Sequence, residues 1–323
     1  MVEKAELVSK VLVLDDSPEC GMRIKAFCDA NHLVTLRAQS ENVMAVMKSN
    51  VDLGAIFLSE GYGAPSSDGY SFAKKIHEVR PELPIFFRRN QVDNLDDLSE
   101  MQRGLFSHAY TIDHIDKLGP VIHESIFSLV YPNALVRGIT EITKAALESQ
   151  FKGVDVATEA PYIVRDRIIY GELFSLIPLE SNWCRGYMML QTEEGPLVQF
   201  VEDDKTHIGV NEEVNFRDIN QVLGEVTNLV WGSFKNRYIS YEALEGRATQ
   251  VPIIVNHRHR YISFGSEDPQ LCFRYTLNDQ SGKVPPMVIY QRFVFNLSWN
   301  PDKFKENEAQ VEDLFDSGEL ELF

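Results

Sequence analysis

Residues 11–16 read VLVLDD: four apolar residues in a row, then two carboxylates. A short, unbroken apolar run fits a strand buried on both faces, and here it delivers Asp15 and Asp16 to its C-terminal end. Working outward, the same unit repeats. Residues 18–31 carry Met22, Ile24, Ala26 and Phe27 in a helical stretch. LVTLRA (33–38) reads as a strand and 40–49 as a helix with Val43, Val46 and Met47. GAIFLS (54–59) is a strand followed by the turn-rich loop EGYGAPSSDG; SFAKKIHEVR (71–80) is a helix stopped by Pro81. LPIFFR (83–88) is a strand, 93–103 a helix, HAYTI (108–112) a strand and 114–129 a last helix. Five strand–helix repeats with continuous apolar strands imply a parallel sheet covered on both faces. The functional crevice of such a sheet lies at the C-terminal ends of its strands.

The whole chain has 323 residues, which at about 150 residues per domain predicts two domains. Lys plus Arg number 31 and Asp plus Glu 48, a net charge of −17. Phosphate backbones and anionic lipid are repelled by such a chain, so nucleic acid and membrane are not expected partners. No segment approaches 18 consecutive apolar residues, and the charged start MVEKAELVSK, with only the short apolar run VLVL after it, is not expected to act as a signal peptide. Cys20, Cys28, Cys184 and Cys272 lack metal-ligand spacing, so free thiols and a cytoplasmic location are the expectation.

Landmarks in the first half resemble the receiver domain of bacterial response regulators, a flavodoxin-like (βα)5 fold. They are the acid pair Asp15–Asp16, Asp68–Gly69 opening the third helix, Pro84 starting strand four, and Tyr110 in strand five. The resemblance covers residues 9–130, after a short tail at 1–8. It implies an aspartate at the end of strand three to accept a phosphoryl group, but Ser59 stands there. The usual Thr or Ser after strand four falls on Arg89 (or Arg88), and the usual Lys after strand five falls near Asp113. A serine gives no acyl phosphate and removes a ligand for Mg²⁺, a hard cation that wants carboxylate oxygens. The expectation is a pseudo-receiver without a metal of its own. Arg89 paired with Asp113 or Asp16 would neutralise the old pocket. In an alternative register Glu60 takes the acceptor position, either as a standing negative charge or as a solvated loop residue.

Beyond a boundary near 128–133, residues 133–150 read as an amphipathic helix. Strands follow at 162–170, 172–179, 185–191 and 196–202, then a long helix at about 211–237, then strands at about 251–255, 260–264, 271–276 and 287–298. That is an α/β (α+β-like) domain over 131–300, with an acidic tail at 301–323. The long helix has a core stripe of Ile219, Val222, Val226, Leu229, Val230 and Phe234. Glu225 and Asn228 are three residues apart on a face away from it. Gly224 and Gly232 flank them; each costs roughly 1 kcal/mol against alanine in a helix. Close approach of another backbone, from a sheet or from a docking partner, is the expected compensation.

The string GEVTNLVWGSFK (224–235), with Pro252 after it, resembles the Gly-Glu-x-x-Asn-x-x-x-Gly helix of chemotaxis phosphatases of the CheX and CheC type. The resemblance implies a CheX-type domain with a single site, because the first helix has Glu141 and Lys144 at the equivalent spacing. It implies that Asn228 positions a hydrolytic water and that Glu225 pairs with the lysine of a visiting phosphorylated receiver. Mg²⁺ and the phosphoryl group would belong to that partner, and the chain would form a homodimer. The activity implied is dephosphorylation of a partner regulator's aspartyl phosphate, with the first domain as a regulatory or docking module. A non-enzymatic adaptor that binds phosphorylated receivers is the alternative. Asp218 reads as helix solvation, Trp231 as partner contact or as core or dimer burial, and His257 with His259 as a solvated basic edge. The tail reads as mobile, with apolar patches at 314–316 and 320–323.

Overall fold

The apolar runs of the first half become five parallel strands in the order β2-β1-β3-β4-β5. They are β1 (Val8–Leu14), β2 (Leu33–Arg37), β3 (Ala55–Ser59), β4 (Ile85–Arg88) and β5 (His108–Tyr110). The computed structural model describes residues 4–48, 52–65, 68–165, 168–208, 214–239, 251–257, 261–263 and 268–307. Helix α1 (Pro18–Ala30) packs Ile24, Phe27 and Cys28 on one sheet face, against Val11, Val13 and Phe57. Helices α2 (Val43–Lys48) and α3 (Gly69–Val79) cover the other face, where Met47, Phe72 and Ile76 meet Leu12, Leu14 and Leu58. Met22, expected on the apolar side of α1, is exposed: burial follows Gly21, Ile24 and Cys28, and Met22 lies off that line.

Two first-half helices are shorter than expected. Of 93–103 only one turn forms, α4 (Glu100–Arg103). Side chains take the backbone groups that a helix would have used. Arg89 donates to the carbonyl of Asn94, Arg103 donates to the carbonyls of Leu98 and Asp96, and Asn94 accepts from the Asp96 amide. The stretch 114–129 splits into a 3₁₀ segment over Ile112–Leu118 and a short α5 (Gly119–Ser125). Pro120 has no N–H and sits in the first turn of α5, where that lack costs least.

The second half is an antiparallel sheet with helices on one face. Helix α6 (Asn133–Gln150) leads to β6 (Val154–Thr158), β7 (Tyr162–Val164), β8 (Ile168–Tyr170), β9 (Leu173–Glu180) and β10 (Cys184–Thr192). Then come α7 (Glu194–Glu202), α8 (Phe216–Tyr238), β11 (Ile253–Asn256), β12 (Tyr261–Ser263), β13 (Gln270–Asp279) and β14 (Met287–Trp299). Residues 196–202, expected as a strand, are helical because their buried residues are Leu197, Phe200 and Val201, a period of three to four, with Pro196 in the first turn. The expected strand 162–170 is two strands, and β6 was not foreseen. Helices α6 and α8 pack closely where Gly138 lies under the Tyr238 hydroxyl, a place with no room for a Cβ. Residues 301–307 are packed rather than detached: Phe304 sits 5.1 Å from the Trp183 ring, and the Asn307 amide donates to the Arg237 carbonyl. The tail patches at 314–316 and 320–323 lie outside the described residues.

The two halves share one 12-stranded sheet, ordered β11-β9-β10-β14-β13-β7-β1-β3-β4-β5, with β2 on β1 and β6 on β13. The junction is β7 beside the start of β1, in parallel, Val8 opposite Tyr162 and Ser9 opposite Ile163. A buried polar seam closes it. The Ser9 hydroxyl donates to the Ile163 carbonyl at 2.7 Å. Asp52 accepts from the Tyr162 hydroxyl at 2.5 Å and from Arg292 at 3.1 Å. The Arg165 guanidinium donates to the Ser125 carbonyl, and its amide donates to the Leu53 carbonyl. Burial and the neighbouring Asp52 charge push the Tyr162 phenol far above its ordinary range, so it donates rather than ionises.

Candidate functional site

Two sites come from the sequence, and they lie in different halves. At the C-terminal ends of β1, β3 and β4, strand register puts Ser59 beside Arg88. The Arg88 guanidinium is bound on several sides: Nε to Asp15 at 2.5 Å, Nη2 to Asp15 at 3.2 Å, Nη2 to Ser59 Oγ at 2.7 Å, and Nη1 to Asn90 at 3.1 Å. The side chains are 9% and 1% exposed for Arg88 and Asp15. Burial pulls the Arg88 pKa down, but the bonds and charge of Asp15 outweigh it and keep it above its ordinary value. Asp16 accepts from the Gly63 amide at 2.7 Å. Gly69 is required here: a Cβ would run into the Ser59 carbonyl.

The expected pairing is therefore corrected. Arg88, not Arg89, faces Asp15. Arg89 turns to Asp97 (Nη2 to Oδ2 2.8 Å) and lies 3.6 Å from Glu60. Asp113 is exposed and paired with Arg23 at 2.7 Å. Asn90 and Asp97 were not singled out. Period-two counting would have found Arg88: Phe57, Phe86, Ser59 and Arg88 share one face of neighbouring strands. Glu60 is half-buried, and its carboxylate accepts from the Asn90 amide at 3.3 Å. Asp15 is thus held by an arginine where a cation would have to sit. Among the described residues no group of three or more His, Cys, Asp or Glu could hold a metal ion.

The second site is helix α8. It starts with a capping box in which the Asn215 side chain accepts a backbone N–H of the first turn and Asp218 accepts the Asn215 N–H. That bond gives Asp218 its role. Ile219, Val222, Val226, Val230 and Phe234 are buried as expected; Leu229 is only half-buried, while Leu223, Thr227, Trp231 and Tyr238 join the buried side. Trp231 is core, stacked on Phe234 at 5.8 Å, and is not a partner contact. Asn228 is exposed and Glu225 half-buried, one turn apart. Neither side chain has a hydrogen bond or ion pair among the described residues. The helix packs against α6, α7, β9 and β11. Among the described residues no backbone approaches the two glycines. A Cβ on Gly232 would meet nothing within 4 Å, and one on Gly224 would meet only the tip of Ile254 at 4.0 Å. The expected close approach within the chain is absent at these positions and occurs at Gly138 instead. Among the described residues the four form one stretch of helix surface with an amide and a carboxylate on it.

The remaining candidates fall elsewhere. Glu141 on α6 is bound to Arg237 at 2.8 Å, so its face is not free. Pro252 precedes β11, as expected. His257 is half-buried beside Phe174 rather than on a solvated edge, and His259 lies outside the described residues. No described helix is long and apolar enough to cross a membrane.

No protein-family model and no curated protein matches the chain. Among solved structures it is similar to a chemotaxis protein CheX from Desulfovibrio desulfuricans, at 13% identity and TM-score 0.37, over 50% of this chain and 99% of that one. A CheX from Vibrio vulnificus is similar at 19% identity and TM-score 0.33, over 49% of this chain and 98% of that one. The receiver domain of a Francisella response regulator is similar at 19% identity and TM-score 0.30, over 36% of this chain and 97% of that one.

Proposed function

We propose that this chain is a signalling protein that hydrolyses the aspartyl phosphate of a separate response regulator at the Glu225/Asn228 face of α8. The observation carrying the reading is that, among the described residues, these two side chains have no partner and stand on a helix face flanked by Gly224 and Gly232. An acyl phosphate is already activated, so hydrolysis mainly needs a water held in line with the leaving carboxylate. The Asn228 amide can accept from that water through its oxygen and donate through its nitrogen. Glu225, an acceptor-only carboxylate, suits an ammonium group on the visitor. The bare glycines let the visitor's backbone come close enough for both contacts. Mg²⁺ would arrive with the phosphorylated partner.

In this reading the first half is a receiver-like module that takes no phosphoryl group. Ser59 offers no carboxylate, and Arg88 fills the position beside Asp15. The test is decay of the acyl phosphate on a magnesium-bound, phosphorylated receiver. Wild-type protein is expected to accelerate it, and Asn228→Ala and Glu225→Ala each to reduce the acceleration by about 10²-fold or more. Binding with no acceleration would replace the enzyme by an adaptor. Labelling of the wild-type chain by acetyl phosphate would overturn the account of the first half.

A further inference from the structure

Given docking of a phosphorylated receiver on α8, the proposed function on which this inference rests, the charges of that helix say which receiver fits. Five charged residues lie on α8, and two of them are engaged within the chain. Asp218 closes the capping box, and Arg237 is bound to Glu141 and Glu306. Arg217, Glu225 and Lys235 remain, and none of the three has an ion pair among the described residues. A base without a carboxylate is unusual in a chain with 48 acids and 31 bases. Arg137, Arg185, Arg237, Arg274 and Arg292, in the same half, are each paired with one.

The two bare bases are in line with the site. At about 100° per residue, Arg217, Gln221, Asn228 and Lys235 fall within about 40° of one another round the helix. Arg217, Gln221 and Asn228 are exposed, and Lys235 is half-buried. The Lys235 ammonium lies 5.6 Å from the centroid of the buried Trp231 ring, which holds the charge in place before a visitor arrives. At about 1.5 Å per residue, Arg217 and Lys235 are about 27 Å apart, with Glu225 between them. We propose that Arg217 and Lys235 are the specificity-determining pair of this face, and that the visiting receiver carries carboxylates on both sides of its phosphoryl pocket to meet them. Base, carboxylate, base on α8 is complemented by acid, ammonium, acid on the visitor. That pattern fits in one register, because sliding by two to three turns sets a carboxylate against Glu225. A span of about 27 Å matches one face of a domain of about 120 residues, whose radius of gyration is about 14 Å. Both bases stand about 10 Å or more along the axis from Asn228, beyond the Debye length of about 8 Å at physiological salt. They therefore act on encounter and register, not on the reacting bond.

The probes are two magnesium- and beryllofluoride-bound receivers, so that binding is read apart from hydrolysis. One has carboxylates flanking its pocket; in the other these are changed to lysine. In fluorescence anisotropy at low salt, Arg217→Glu with Lys235→Glu is expected to raise the Kd for the first probe about tenfold or more, and Arg217→Gln with Lys235→Gln about threefold. The second probe is expected to reverse the order, binding the double reversal better than the wild type. Lys74→Glu with Lys75→Glu makes the same change of net charge at exposed positions of α3 and is expected to leave Kd within about twofold. In the acyl-phosphate assay the double reversal is expected to raise KM and leave kcat within about twofold. Binding indifferent to Arg217 and Lys235, or weakened as much by the α3 pair, overturns this proposal and leaves hydrolysis at Glu225 and Asn228 standing. Binding that follows the charges without hydrolysis upholds it and overturns the enzyme. Failure of the wild type to bind either probe overturns both.

Discussion

The pairing of Arg88 with Asp15 turns on single side chains. An aspartate 1% exposed at the end of a buried strand needs a cation, and Arg88 is it. Arg88→Ala strands a buried carboxylate, so the variant is expected to lose about 3–5 kcal/mol in urea unfolding. Removing both partners by Asp15→Ala with Arg88→Ala is expected to cost less than Arg88→Ala alone, because no unpaired charge remains. Asn228→Ala touches an exposed side chain without partners among the described residues; its stability is expected to stay within about 0.5 kcal/mol of wild type while the proposed phosphatase activity falls. Cys28 is buried and its thiol is pushed up to about 12, first by burial, so it is expected to resist alkylation at pH 8 until the protein unfolds. Identities at this scale were readable in the sequence, but partners were not. Arg88 and Arg89 are adjacent in the chain, and only strand parity separates the one that faces Asp15 from the one that faces Asp97.

At the scale of elements, α8 and α3 make opposite points. The glycines of α8 look like helix defects, and the described residues leave open space over them. Gly232→Ala is expected to raise stability by about 0.5–1 kcal/mol through helix propensity alone, yet weaken the proposed receiver docking, read as a higher KM in the acyl-phosphate assay. Gly138→Ala is expected to lower stability by about 1–3 kcal/mol, because its Cβ would meet the Tyr238 hydroxyl. Asp68 caps α3 by accepting from the Ser71 amide at 2.8 Å. That bond holds its carboxyl below the ordinary carboxylate range. Its contribution is therefore present above the unfolded pKa of about 4 and is lost as pH falls through the lower folded value. Asp68→Ala is expected to cost about 1 kcal/mol at neutral pH and to converge with wild type in acid, as measured by urea midpoints. Helix periodicity located α1, α3, α6 and α8. It failed at 93–103 and 196–202, where side-chain bonds to the backbone or a three-to-four spacing in a short apolar run decided the outcome.

For the whole molecule, the shared sheet matters most. The parallel pair of β7 with β1 and the buried trio Asp52, Tyr162 and Arg292 tie the halves together. Asp52→Ala would leave the buried Arg292 without its carboxylate and is expected to cost about 3–5 kcal/mol. The wild type is expected to unfold in one cooperative transition. All three tryptophans, Trp183, Trp231 and Trp299, are in the second half. Their fluorescence should therefore lose signal at the same urea concentration as far-UV circular dichroism, which reports on both halves.

What the sequence determined by itself was local: the βα alternation of the first half, the long helix of the second, the serine rather than a carboxylate at position 59, and the Glu225–Asn228 spacing. Each depends on periodicity or on neighbours a few residues apart, and such patterns are written along the chain. Tertiary structure alone decided which arginine meets Asp15, 73 positions away, and that Asp52 meets Arg292, 240 positions away. It also decided that, among the described residues, the space over Gly224 and Gly232 stays open while that at Gly138 is filled. Those outcomes follow from which strand edges pair and which faces close, and strand pairing joins segments whose separation in sequence carries no periodic signal.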